Sequence, residues 1–224
     1  MICLCFRTLL LYFACGIFFL SSCTAANGQD IPRIPGAQTV SPEFQSLLPK
    51  LQQQTQLAIV LPTVIPTDAL VPSADHPKPY LNVPITPDGH FQQVVPHITV
   101  ATPTHYEISL DATTDCQGDD SCSFGFLSGE QVFQDTPTVA SLYAYELKPN
   151  FQPVARSPEA MGTVTLTDGI TGTFIPFVCG ANCDTSKIFW EQSGVRYGVG
   201  IRYGSQATLV TFANSVIQNE RTTP

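Results

Sequence analysis

Charge is scarce in this chain of 224 residues. Lys, Arg, Asp and Glu make up 12% of it, about half the usual share for a globular domain. Bases are scarcer than acids, with 10 Lys and Arg against 18 Asp and Glu. So few cations on an acidic chain make a poor surface for phosphate backbones, and no nucleic-acid partner is expected. Gly-x-Ser-x-Gly, His-Glu-x-x-His and phosphate-cradling glycine loops are all missing, so the usual signatures of esterases, zinc peptidases and nucleotide hydrolases are absent. The four histidines, His76, His90, His97 and His105, are scattered without a close pair. No internal repeat is found. No cofactor or metal site is expected, and the chain reads as a non-enzyme.

Acids are missing altogether before Asp30. Met1–Leu20 carries one base, Arg7, and a Leu-, Phe- and Ile-rich run that is short for a membrane span and ends in small residues. It reads as an export signal. The string Leu20-Ser21-Ser22-Cys23 resembles the lipobox of bacterial lipoproteins. That resemblance implies a signal peptide over 1–22, acylation of Cys23, and Cys23 as first residue of the mature chain. The alternative is an uncleaved anchor. Thr24 stands where an inner-membrane retention signal would place Asp, so the resemblance implies an outer-membrane lipoprotein facing the periplasm. Cleavage removes one base and no acid, moving the formal charge from −8 to −9.

Residues 23–40 lack periodicity and carry two prolines and two glycines, which suits a flexible tether reaching roughly 55 Å. A single domain is expected over 41–219. Ser41-Pro42-Glu43 reads as a helix start followed by Phe44, Leu47, Leu48 and Leu51, with Pro49 as an early break. Leu57–Leu61 reads as a short apolar strand. From Thr63 to Pro103 prolines dominate, and short strands are expected only near Tyr80–Ile85 and Val94–Val100. Tyr106, Ile108 and Leu110 alternate with polar residues as in a half-buried strand, and Cys122–Leu127 suits its antiparallel neighbour. Leu142–Leu147 fits helix or strand. Asp168-Gly169 marks a hairpin between Gly162–Thr167 and Ile170–Phe177.

The clearest pattern is near the C-terminus. Val195, Tyr197, Val199, Ile201 and Tyr203 alternate with Arg196, Gly198, Gly200 and Arg202, so one strand face is apolar and the other polar or bare. Lys187–Glu191 is its hairpin partner across Ser193-Gly194. After a Ser205 cap, Leu209, Phe212, Ala213 and Val216 recur at helical spacing. The helix is expected to end near Gln218, with Asn219–Pro224 frayed and 220–224 a disordered tail. The expected fold is α+β: an antiparallel sheet of hairpins packed by an N-terminal and a C-terminal helix.

Cys3, Cys5 and Cys15 leave with the signal and Cys23 is the anchor, which leaves Cys116, Cys122, Cys179 and Cys183. Four cysteines permit three pairings. Proximity favours two local disulfides, Cys116–Cys122 and Cys179–Cys183, over a zinc site of irregular spacing or a redox motif. Asp111, Asp115, Asp119 and Asp120 concentrate oxygen ligands, although their spacing is not the EF-hand series and a solvated acidic loop explains them as well. Trp190, Phe189, Tyr197 and Tyr203 suit either a core or a pocket floor. Arg196 and Arg202 share one face of the last strand, with glycines between them. They mark a possible partner face for a carboxylate or phosphate, against an alternative of solvated side chains and packing glycines.

The strings CQGDDSCSFGFLSG, FQPVARSPEAMGTVTLTDGITGTFIPFVCGANC and KIFWEQSGVRYGVGIRYG, with the LVTFANSVI helix, resemble an uncharacterised family of exported cyanobacterial proteins over roughly Leu51–Asn219. More loosely, Leu61-Pro62 and the closing hairpin and helix resemble a bacterial domain of unknown function from envelope-associated proteins. Both resemblances imply one exported domain and carry no catalytic residues. The expected function is a lipid-anchored, non-enzymatic cell-envelope module that binds or scaffolds an unknown envelope partner. An envelope hydrolase with a site assembled from distant residues and a Ca²⁺-dependent adhesion module are the alternatives.

Overall fold

A computed structural model describes residues 40–66, 93–144, 155–179 and 184–220. The export signal, Cys23, the tether to residue 39, Tyr80–Ile85, His76, His90, Cys183 and residues 221–224 lie outside them. The described residues belong to one unit, Gly36–Pro224.

Nine strands occur among them: β1 Val95–Thr102, β2 His105–Asp111, β3 Ser123–Gln131, β4 Ala155–Arg156, β5 Gly162–Thr165, β6 Thr171–Ile175, β7 Val178–Cys179, β8 Thr185–Gln192 and β9 Val195–Arg202. Seven form one antiparallel sheet in the order β1-β2-β3-β9-β8-β6-β5, and β4 pairs with β7. The helices are α1 Leu48–Gln54, α2 Val139–Leu142 and α3 Gln206–Glu220. The architecture is α+β, as expected.

Local chemistry explains the hairpins. Ser193 and Gly194 both have positive φ, 52° and 77°, the twist a two-residue turn needs to match its strands. That turn sets Gln192 opposite Val195 and hence Lys187 opposite Gly200. Between β5 and β6, Asp168 and Gly169 turn the chain in the same region of φ.

The helix face of the sheet carries Tyr106, Ile108, Leu127, Tyr197, Val199, Ile188, Trp190 and Phe174, all buried. Against them α3 lays Leu209, Phe212, Ala213 and Val216, each 0–1% exposed. Trp190 and Tyr197 are core residues, their rings 5.7 Å apart. The start of α3 is closed twice. Ser205 Oγ accepts the Thr208 N–H at 3.1 Å, and Glu159 on another segment accepts the Gln206 N–H at 2.9 Å. The first turn has no acid of its own, so Glu159 supplies the negative charge that the helix dipole favours.

Three expectations need correction. The N-terminal helix does not start at Ser41. Pro42–Phe44 forms one 3₁₀ turn, and α1 begins at Leu48 with Pro49 in its first turn. A missing N–H costs nothing there, so Pro49 opens the helix instead of breaking it. Leu57–Leu61 is not a strand, because side chains and one loop amide replace a ladder along this segment. Tyr106 Oη accepts the Val60 N–H, Tyr197 Oη donates to Ala58 O, Asn219 Nδ2 donates to Leu61 O at 2.7 Å, and the Ser41 N–H reaches Pro62 O. The segment thus stays irregular with its backbone groups satisfied. For the same reason Asn219 is not frayed: it is 3% exposed, and α3 runs to Glu220. Of the two expected bridges, Cys116–Cys122 is present with a Cα separation of 5.7 Å. Cys179 is disulfide-bonded to a residue outside the described ones.

Candidate functional site

The outer face of the sheet, opposite α3, is where polar chemistry collects. Alternation and register place side chains on it in rows running across the strands. One row reads His105, Glu130, Arg196 and Glu191 on β2, β3, β9 and β8. Arg196 therefore stands between two carboxylates. Its Nε and Nη2 donate to Glu191 Oε1 at 3.2 and 2.9 Å, and Glu130 lies 3.8 Å from Nη1.

The next rows hold Gly198 and Gly200. A Cβ at Gly198 would come within 2.7 Å of both the Phe189 ring and Ser128 Oγ, and one at Gly200 within 2.2 Å of the Phe126 ring. The two glycines are the floor on which those rings lie. Phe126 and Phe189 are 6.5 Å apart, Tyr143 just after α2 stacks on Phe189 at 5.9 Å, and Lys187 Nζ lies 4.9 Å from the Tyr143 centroid. Phe189 thus belongs to the outer face, whereas Tyr203 packs edge-on against Phe177 at 5.3 Å. The expectation of a bare backbone between the arginines is corrected here: every residue of β9 is buried.

At the far end of the face a cleft of about 710 Å³ opens. Its rim is the disulfide loop. Gln117 and Gly118 take positive φ, the Gly118 N–H donates to Asp111 Oδ2 at 3.0 Å, and the Ser121 N–H donates to Asp119 Oδ1 at 2.8 Å. Hydrogen bonds from Ser121, side chain and backbone, hold the Asp119 carboxyl below its ordinary range, and the Thr113 side chain with the local backbone does the same for Asp115. Two strand cations reach the cleft. Lys187 is paired with Asp184, while Arg202 is 7% exposed and its Nε has no hydrogen-bond partner.

Of the residues singled out from sequence, Asp119, Asp120 and Arg202 meet in this cleft, and Arg196 stands apart in its own ion pairs. Asp111 and Asp119 each spend one carboxylate oxygen on a loop amide, and the other Asp111 oxygen, Oδ1, is buried without a hydrogen-bond partner. His97 and His105 lie on β1 and β2, and among the described residues no three His, Cys, Asp or Glu side chains converge on one point. Lys187, Asp184, Thr185 and Glu107 line the cleft and were missed. For Lys187 and Thr185 a signal existed, because a two-residue turn at Ser193-Gly194 places both beside Gly200 and Arg202.

Among the described residues no helix is long and apolar enough to cross a membrane. Compared with known protein families, curated proteins and solved structures, the chain matches none.

Proposed function

We propose that the protein is an exported, lipid-anchored envelope module that binds a partner in the cleft of its outer sheet face and does no chemistry on it. The observation that carries this reading is the division of labour across the sheet. One face is sealed by α3, and the other gathers charged and hydroxyl side chains from β2, β3, β8, β9 and the disulfide loop around an open space. Clefts with convergent polar groups are the usual binding sites of small domains. Anchoring rests on Leu20-Ser21-Ser22-Cys23 at the end of the apolar run. Such an anchor places the domain at the envelope, at the outer membrane if the cell has one.

Cys183 is the proposed partner of Cys179. Cys116 and Cys122 are taken by each other, the remaining cysteines lie in or beside the signal, and a second short bridge suits an oxidising compartment. The hydrolase reading is less favoured, because a general acid needs a carboxyl raised towards neutral pH. Asp115 and Asp119 are held below the ordinary range by hydrogen bonds, which suits acceptors of hydrogen bonds and not general acids.

The test is mass spectrometry and site-specific photocrosslinking of the full chain in its native envelope. The expected product begins at an acylated Cys23 and crosslinks from a photoreactive residue at Asp120, on the cleft rim, but not from one at Thr211, on the exposed side of α3. An intact Met1–Leu20 segment would remove the anchor. Equal crosslinking from both positions would remove the cleft.

A further inference from the structure

Each arginine of β9 keeps one buried nitrogen without a hydrogen-bond partner, Nη1 of Arg196 and Nε of Arg202, and the two differ in their counter-charges. Arg196 has a carboxylate on each neighbouring strand. Arg202 faces Thr185 on β8, takes part in none of the ion pairs among the described residues, and keeps a buried Nε–H without an acceptor. Taking a guanidinium out of water without a counter-charge is unfavourable, and such groups are normally paired. This one is more than nine-tenths buried and lines the cleft.

We propose that Arg202 anchors an anion subsite, and that the cleft takes a hydroxyl-rich ligand carrying a single carboxylate or phosphate group. The proposal rests on the reading of the cleft as the binding surface. A planar guanidinium with a free N–H suits the oxygens of either group. The nearby cation, Lys187, is already paired with Asp184, so Arg202 is the cation of the cleft lining that has no ion pair among the described residues. The rest of the lining selects the rest of the ligand. Glu107, Asp119 and Asp120 accept hydrogen bonds from hydroxyl groups, and the Phe126 ring offers an apolar surface to a sugar ring. The same acids oppose the accumulation of negative charge, so a polyphosphate is disfavoured against a single anionic group. An acidic sugar unit, carboxylated or phosphorylated, has this chemistry.

The test is equilibrium dialysis of the full-length protein against glucuronate, glucose and tripolyphosphate at fixed ionic strength. Inorganic phosphate is added in a thermal-unfolding series on the wild type and on Arg202→Gln. Glucuronate should bind at least tenfold more tightly than glucose, with tripolyphosphate weaker than glucuronate. Phosphate should raise the unfolding temperature of the wild type more than that of Arg202→Gln, because general salt stabilisation acts on both alike and site binding only on the wild type. Arg202→Gln should abolish the preference for glucuronate, Arg202→Lys should keep part of it, and Arg196→Gln should keep all of it. Equal binding of the two sugars would overturn the anion subsite and leave the cleft standing. A glucuronate preference that survives both Arg202→Gln and the rim pair Asp119→Asn, Asp120→Asn would place the ligand elsewhere and overturn both readings. If neither sugar binds and phosphate shifts the wild type and Arg202→Gln alike, the subsite is wrong.

Discussion

Arg196 and Arg202 stand on the same face of the same strand, about 20 Å apart along it, and their surroundings are opposite. At the Arg196 end the cation is inserted between Glu130 and Glu191, and the charge is settled within the sheet. At the Arg202 end the cation meets Thr185 and a cleft, and the acids nearest in sequence to the rim are engaged with their own loop. One residue type on one face thus serves as a tie between strands in one place and as an unfilled position in the other. Cross-strand neighbours decide the role, and these come from sheet order.

The largest test of this contrast uses the disulfide, which staples only the Arg202 end. Its loop closes over a sequence separation of 6. On the chain-entropy account, a Cys116→Ser, Cys122→Ser double variant should lose about 2–3 kcal/mol in denaturant unfolding. Amide exchange should accelerate around Gly118–Ser121 and stay slow near Arg196. Equal loss of protection at both ends would show that the two ends do not behave independently.

A smaller effect, with opposite signs, comes from replacing each arginine by methionine. Arg196→Met removes a buried cation from two half-exposed carboxylates and should destabilise by about 1–2 kcal/mol, after allowance for water screening the glutamates. Arg202→Met removes a buried charge that has no ion pair among the described residues and keeps an unbranched apolar stem. It should be neutral or stabilising by about 1 kcal/mol. If both variants lose stability equally in urea titrations, Arg202 is held by the protein as firmly as Arg196, and the contrast fails.

Much of this architecture was legible from residue order, for local reasons. The hairpins at Ser193-Gly194 and Asp168-Gly169, the α3 face of Leu209, Phe212, Ala213 and Val216, and the Cys116–Cys122 loop all depend on residues close in sequence. Failures occurred where the deciding contact is remote. Leu57–Leu61 has the composition of a strand, yet it is kept irregular by Tyr106, Tyr197 and Asn219, up to 158 positions away. The site follows the same rule. Arg196 and Arg202 were visible as a pair, but Glu130 becomes a neighbour only because β3 lies beside β9. Gly198 and Gly200, which suggested an approachable backbone, accommodate the rings of Phe189 and Phe126 from the flanking strands.

The smallest effect concerns acid, and it asks whether the rim carboxylates are held by their own loop or by Arg202. Ser121, through its hydroxyl and its N–H, keeps the Asp119 carboxyl below its ordinary value near 3.8. A carboxyl whose folded value is depressed favours the native state at any pH above its unfolded value. That contribution is lost as pH falls through the folded value. Asp119→Asn removes the titration while leaving an oxygen that accepts the Ser121 N–H, so the wild type should unfold at a slightly higher temperature near neutral pH. The gap should close on acidification below about pH 4. Because Asp119 is fully exposed, the effect is small and is best read as the slope of unfolding temperature against pH. If Ser121 is the partner, the same gap should persist in the Arg202→Met background, as independent sites add, and should change little in salt. A gap that vanishes in that background would show Asp119 acting as the standing counter-ion of Arg202, and the position assigned to an anionic ligand would already be filled.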